Sequence, residues 1–219
     1  MTWRPAERTT VAKQIYAAAE KDRADRPERY RLDVAAITER AETRCSSELF
    51  APGWQTGLDA FLGSAAEEAR LNAVGIRMAA QSAVGRLTAG AAIAGYRRHH
   101  PEVASATLAP PIVIIGGWRT GTTFLFRLLG TDPRLHAPLP AELVSPWVFA
   151  DGSGPEKRTG TAAATELLHT LNPEMAHVHP SGPTLPEECV LGMGTDLRNW
   201  GFTSMMRLPS YADWLADQD

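Results

Sequence analysis

The sequence has only two cysteines, Cys45 and Cys189, far apart and in no metal-like spacing. That argues against a disulfide framework or a zinc module and for a reducing, cytoplasmic setting. It also lacks an excess of positive charge: 22 Lys and Arg against 25 Asp and Glu give a formal net charge of −3. No global basic field draws in nucleic acid or anionic membrane, so any anion binding has to be local. No apolar run approaches the roughly 20 residues of a membrane helix. The Ala/Gly-rich stretch from Thr88 to Gly95 is short and runs into Arg97-Arg98-His99-His100. No apolar stretch follows the charged N-terminus, so a secretory signal is not expected. Internal repeats and low-complexity tracts are missing too. What is present is an ordinary soluble composition, 44% hydrophobic and 21% charged over 219 residues, long enough to bury a core.

Residues 1–107 read as a helical lead-in or cap. Apolar residues recur at helical spacing from Val11 through Ile15 to Ala19. They recur again at Val34, Ile37 and Ala41 behind Asp33 as N-cap. A third stripe takes in Trp54, Leu58, Phe61 and Leu62, and a fourth runs from Ala69 and Leu71 through Ile76 to Leu87. Glycines at 57, 63, 75, 85, 90 and 95 are expected to weaken these helices or to mark turns.

The pattern changes at Pro110-Pro111, which sets the boundary of a second unit over residues 108–219. Ile112-Val113-Ile114-Ile115 is a run of β-branched residues without alternation, as in a strand covered on both faces of a parallel sheet. Two glycines and a short loop follow, then an apolar helix over residues 122–129. Strand, glycine loop and helix open a βαβ unit, so the expected class is α/β, with a helical region ahead of it. Farther on, residues 151–155 read as a turn and residues 165–171 as a short helix. Residues 172–186 read as mostly irregular. Thr184-Leu-Pro-Glu187 reads as a capping box opening a helix through Leu191, and a last helix starts near Tyr211.

Gly116-Gly-Trp-Arg-Thr-Gly121-Thr-Thr123 keeps the Gly-x4-Gly frame of a phosphate loop. Glycines let successive N–H groups turn inward onto anionic oxygens, and the helix behind them adds its positive end. Thr122 and Thr123 can donate hydroxyls, and Arg119 is the one cation of the loop. The plainer alternative is a strand–turn–helix whose glycines serve only a tight turn. A nucleotide-hydrolysing loop would carry lysine where Thr122 stands.

With the cation inside the loop, Arg119-Thr120-Gly121-Thr122-Thr123 resembles the 5′-phosphosulfate loop of sulfotransferases: Lys or Arg, a small residue, then Gly-Thr-Thr. Further segments resemble a bacterial sulfotransferase-like family. These are the apolar helix to Leu129, the turn Asp132-Pro133-Arg134, and Ala137-Pro-Leu-Pro-Ala-Glu142. Leu185-Pro-Glu-Glu-Cys189 and Leu208-Pro-Ser-Tyr-Ala-Asp-Trp-Leu215 complete the succession. The resemblance implies a P-loop-like parallel sheet flanked by helices. It also implies transfer of a sulfuryl group from 3′-phosphoadenosine 5′-phosphosulfate to a hydroxyl or amine of a small-molecule acceptor, without a metal. Gly117, Trp118, Arg119, Thr120, Gly121, Thr122 and Thr123 would hold the donor.

Arg119 and the loop amides would stabilise charge on the leaving phosphate. The acceptor's proton needs a base. Glu142, in the position of a glutamate that serves some related enzymes, is the first choice and His136 the second; each could equally be a surface residue. His177 and His179 alternate and would share a face on an extended segment, as acceptor-pocket lining or plain surface rather than a metal pair. Arg127 is expected on the solvent side of its helix, with Phe124 and Leu128 inward. The elements that bind the donor's 3′-phosphate and adenine are not recognisable. The chain therefore reads as an N-terminal portion whose sheet is incomplete and whose apolar edge is uncovered. A P-loop kinase and a non-catalytic phosphate-binding module are the competing readings.

Overall fold

The structure, a computed structural model, describes residues 7–117, 120–149 and 162–218, with backbone only for 162–166. Four helices fill the first hundred residues: α1 (Thr10–Asp25), α2 (Val34–Glu42), α3 (Trp54–Glu67) and α4 (Ala73–His99). Their starts are chemically specified. The Thr9 hydroxyl accepts the Ala12 amide at 3.1 Å, Asp33 accepts that of Ala36 at 2.9 Å, and Asn72 accepts that of Gly75 at 2.9 Å. The Ala36 amide holds the Asp33 carboxyl below its ordinary range, with Arg31 acting in the same direction. α4 ends on Arg97, Arg98 and His99, cations that suit the negative end of a helix, before Pro101 stops it.

The expected helical stripes are all present, but the glycines do something other than break them. Gly57, Gly75, Gly85, Gly90 and Gly95 lie inside helices. At two of them the missing side chain is what allows another segment in. A Cβ on Gly57 would sit 2.1 Å from the Asp196 carbonyl oxygen, and one on Gly90 3.2 Å from Thr195 Cβ. The fourth helix also starts later than its apolar stripe suggests, at Ala73. Ala69 and Leu71 lie in the connection before it.

The core joins the two ends of the chain. Ile37, Leu58, Phe61, Leu62, Ala83 and Leu87 pack with Leu197, Phe202, Leu208 and Tyr211 from the last twenty-odd residues. The rings of Phe61 and Phe202 lie 4.4 Å apart, and Phe61 meets Tyr211 edge-on at 5.8 Å. Tyr211 is wholly buried, yet its hydroxyl is satisfied. It donates to the Leu197 carbonyl at 2.6 Å and accepts the Asn199 amide at 2.9 Å. Burial pushes that phenol up to about 12.

After α4 come α5 (Thr122–Leu129), α6 (Pro140–Val144), α7 (Ala162–Leu171), α8 (Met175–Val178), α9 (Gly201–Met205) and α10 (Pro209–Ala216). No β-strand occurs among the described residues, and the strand expected at Ile112–Ile115 is not formed there. Ile112, Val113 and Ile115 are 64%, 69% and 90% exposed. β-branched residues favour extended backbone, but a strand exists only through a ladder of hydrogen bonds to neighbours. Among the described residues the helical part of the α/β expectation is present and no parallel sheet is seen. The capping box at Thr184 and Glu187 is also corrected. Only a short turn at Cys189–Leu191 follows, and Glu187 is engaged elsewhere. The expected turn at residues 151–155 lies outside the described residues.

Candidate functional site

The described part of the glycine loop is folded back on itself. Thr120 donates its hydroxyl to the Gly117 carbonyl at 2.7 Å. A Cβ on Gly116 would lie 2.6 Å from the Thr120 hydroxyl and 2.7 Å from Thr122 Cγ2, so that position admits only glycine without rearrangement. Gly121 is left-handed (φ 85°, ψ 12°) and forms the N-cap of α5. The first helical bond runs from the Leu125 amide to the Gly121 carbonyl at 3.0 Å. The amides of Thr122, Thr123 and Phe124 thus precede it and carry the positive end of the helix. Trp118 and Arg119 lie outside the described residues.

Helix α5 faces opposite to expectation. Phe124 is 73% exposed and Leu128 is also exposed, while Thr123 and Arg127 share the face that meets the 179–188 segment. These two residues are one turn apart, which places them together. Arg127 donates through Nη2 to the Pro180 carbonyl at 2.5 Å, and its buried Nε has no hydrogen-bond partner among the described residues. The physical reason is polar. Carbonyls and carboxylates on the 179–188 segment attract the hydroxyl and guanidinium side of α5, leaving its apolar side outward.

Thr123 donates its hydroxyl to Glu188 Oε1 at 2.8 Å. Next to it, buried Glu187 holds His179 Nε2 between its two oxygens at 3.2 and 3.1 Å. That hydrogen bond raises the His179 pKa above its ordinary value; burial and Arg127 oppose the rise, and Glu188 supports it. The expected pairing of His177 with His179 on an extended face does not occur, because His177 belongs to the short helix α8 and His179 caps it. Instead His179 pairs with Glu187, and His169 Nε2 lies 3.3 Å from both the His179 carbonyl and the Ser181 hydroxyl. Among the described residues no three His, Cys, Asp or Glu side chains converge as a metal site.

Glu142 and His136 are brought together. His136 Nε2 lies 3.2 Å from Glu142 Oε2, with the histidine 74% exposed and the glutamate largely covered. The same Glu142 oxygen accepts the Leu139 amide at 2.8 Å at the start of α6, so this glutamate makes the helix-start bond expected of Glu187. The two segments run side by side: the Glu187 amide donates to the Pro138 carbonyl at 3.0 Å. Sequence reasoning missed the Thr123–Glu188 bond and the His179–Glu187 pair. The available signal was two successive glutamates after Pro186, which on extended backbone point to opposite sides.

The helical core supports this segment from beneath. Arg86, nearly buried on α4, donates to the carbonyls of Leu191 at 2.6 Å and Met193 at 3.3 Å. Asn199 donates to those of Val190 and Met193, both at 3.0 Å. Burial lowers the Arg86 pKa.

The sulfotransferase family model matches residues 110–219. The chain is also similar to the crystal structure of sulfotransferase STF1 from Mycobacterium tuberculosis H37Rv. The TM-score is 0.69 at 26% identity, over 85% of this chain and 53% of that one. The chain thus spans about half the length of that structure. No curated protein matches. The matched residues carry the glycine loop, α5, Glu142, His179 and Glu188, and the chain belongs to the sulfotransferase family.

Proposed function

We propose that the chain takes part in sulfuryl transfer from 3′-phosphoadenosine 5′-phosphosulfate to a hydroxyl or amine of a small-molecule acceptor. One observation carries the reading: left-handed Gly121 opens α5 on Thr122 and Thr123, with a loop cation at Arg119 and threonine in the lysine position of nucleotide-hydrolysing loops. The folded-back loop fits a small anion, because Gly116 leaves no room for a side chain and the first amides of α5 carry partial positive charge.

In this reading the amides of Thr122 and Thr123, their hydroxyls and the Arg119 guanidinium bind the bridging phosphate. They favour charge on the oxygen that leaves when the acceptor attacks sulfur. Gly117, Trp118 and Thr120 complete the donor loop. The Glu142–His136 pair takes the acceptor's proton, the histidine holding the carboxylate in place. The fold division at residue 108 and a cytoplasmic setting belong to the same proposal. Cys45 and Cys189, both unpaired, are in keeping with a reducing compartment.

Calorimetric titration with 3′-phosphoadenosine 5′-phosphate against ATP tests the donor site, on the chain and on Arg119→Ala. Preference for the former, lost in the variant, is the expected outcome. Equal binding of the two nucleotides, or an unaffected variant, would rule the reading out. Magnesium-dependent ATP turnover would favour a kinase instead.

A further inference from the structure

The Thr123 hydroxyl is where the glycine loop meets the 179–188 segment. A threonine hydroxyl has one proton and donates it to one strong acceptor at a time. Here the acceptor is the Glu188 carboxylate, at 2.8 Å. The backbone selects this glutamate over its neighbour. Glu188 is extended (φ −73°, ψ 144°), so Glu187 and Glu188 diverge. Glu187 turns inward to His179, and only Glu188 reaches the start of α5. A carboxylate there also complements the positive end of the helix, as a bound anion would.

We infer, building on the phosphosulfate reading of the loop, that Glu188 is a place-holder for the donor's anionic group. In the free protein its carboxylate occupies the Thr123 hydroxyl. When a phosphosulfate oxygen takes the same proton, that bond is exchanged for another charge-assisted one and Glu188 is displaced. Two consequences follow from the physics. The Thr123 side chain is held in one orientation by this bond. The negative charge of Glu188 also opposes the incoming anion, so affinity is set below what the loop amides and Arg119 alone would give. Glu188 is a positioning residue in this scheme, acting through Thr123.

The test is a thermodynamic cycle with Glu188→Gln and Thr123→Val on the full chain, read by calorimetric titration with 3′-phosphoadenosine 5′-phosphate. Glutamine keeps an oxygen that can accept the Thr123 hydroxyl, so the contact persists in neutral form and the melting temperature should hold. Glu188→Gln is expected to bind the ligand about fivefold to tenfold more tightly, since a neutral acceptor competes more weakly for the hydroxyl. In the Thr123→Val background that gain should shrink to the part due to the charge of Glu188 alone. A gain of the same size there would assign the effect to charge alone and overturn the exchange of the hydroxyl. An unchanged or weaker Glu188→Gln would overturn the inference while leaving the loop reading intact. If neither the parent chain nor any variant binds, the phosphosulfate reading falls and the inference with it. A measurement on the parent chain needs no substitution: the carboxyl carbon resonance of Glu188 should move in step with saturation, and a silent resonance at full occupancy would exclude displacement.

Discussion

Arg86 and Leu191 stand 105 positions apart in the sequence and are joined by a bond of 2.6 Å from the guanidinium to the carbonyl oxygen. The donor belongs to the long helix α4, and the acceptor closes the turn that follows Glu188. The segment facing the glycine loop is thus fastened to the helical core by a cation lying beneath it. Arg86→Ala removes two carbonyl partners in a nearly buried place and should cost about 2–3 kcal/mol of stability. Urea titration followed by circular dichroism checks the value. A loss under about 0.5 kcal/mol, the range of ordinary surface substitutions, would contradict it.

Two glycines of α3 should respond with opposite signs. Gly57→Ala forces a Cβ against the Asp196 carbonyl oxygen, at 2.1 Å without movement. Overpacking of this kind costs about 1–3 kcal/mol. Gly63 is exposed with nothing within 4 Å of a new Cβ. Gly63→Ala should therefore raise stability by about 0.5–1 kcal/mol through helix propensity. Thermal melts of both variants beside the parent decide the matter.

Glycines of the proposed phosphate loop make a similar contrast in binding. Gly116→Ala drives a methyl group into Thr120 and Thr122, and Gly121→Ala must hold a left-handed φ of 85°. Both should weaken binding of 3′-phosphoadenosine 5′-phosphate at least tenfold. At Gly117 a Cβ meets nothing within 4 Å among the described residues, so Gly117→Ala should keep most of the affinity. Calorimetry on the three variants would show whether loop shape or loop composition governs the site.

His179 supplies a pH test. Its pKa in the folded protein is raised above 6.5, chiefly by the hydrogen bond to Glu187. The stability this pair adds is fully present below the unfolded value and is lost as pH rises through the folded one. Glu187→Gln should lower the His179 pKa, as read from its imidazole resonances, and should flatten stability across that window. A His179 titration indifferent to Glu187→Gln would refute the pairing in solution.

Exposed apolar side chains predict the solution behaviour. Leu108, Ile115 and Phe124 are 84%, 90% and 73% exposed, and Val113 and Leu128 add to them. Such surface promotes self-association. Sedimentation should show concentration-dependent species, reduced in a Val113→Lys, Ile115→Lys double variant with an unchanged melting temperature. A strictly monomeric parent chain would count against this expectation.

Much of the helical half was legible in the sequence because its signals are local. Thr9, Asp33 and Asn72 cap helices with their own side chains, and apolar spacing marks the faces that are buried. The helix start after the glycine loop was legible too, since left-handed Gly121 and the threonine pair open α5. Where a polar side chain finds its partner was decided only by the tertiary structure. The helix-start bond expected of Glu187 is made by Glu142, because the Leu139 amide lies beside it, while Glu187 meets His179. Thr123 turned toward Glu188, 65 positions later, and carried the polar face of α5 inward. Ile112–Ile115 shows the limit from the other side: β-branched composition sets an extended backbone, but a strand needs a neighbour, and that belongs to the fold rather than to the segment.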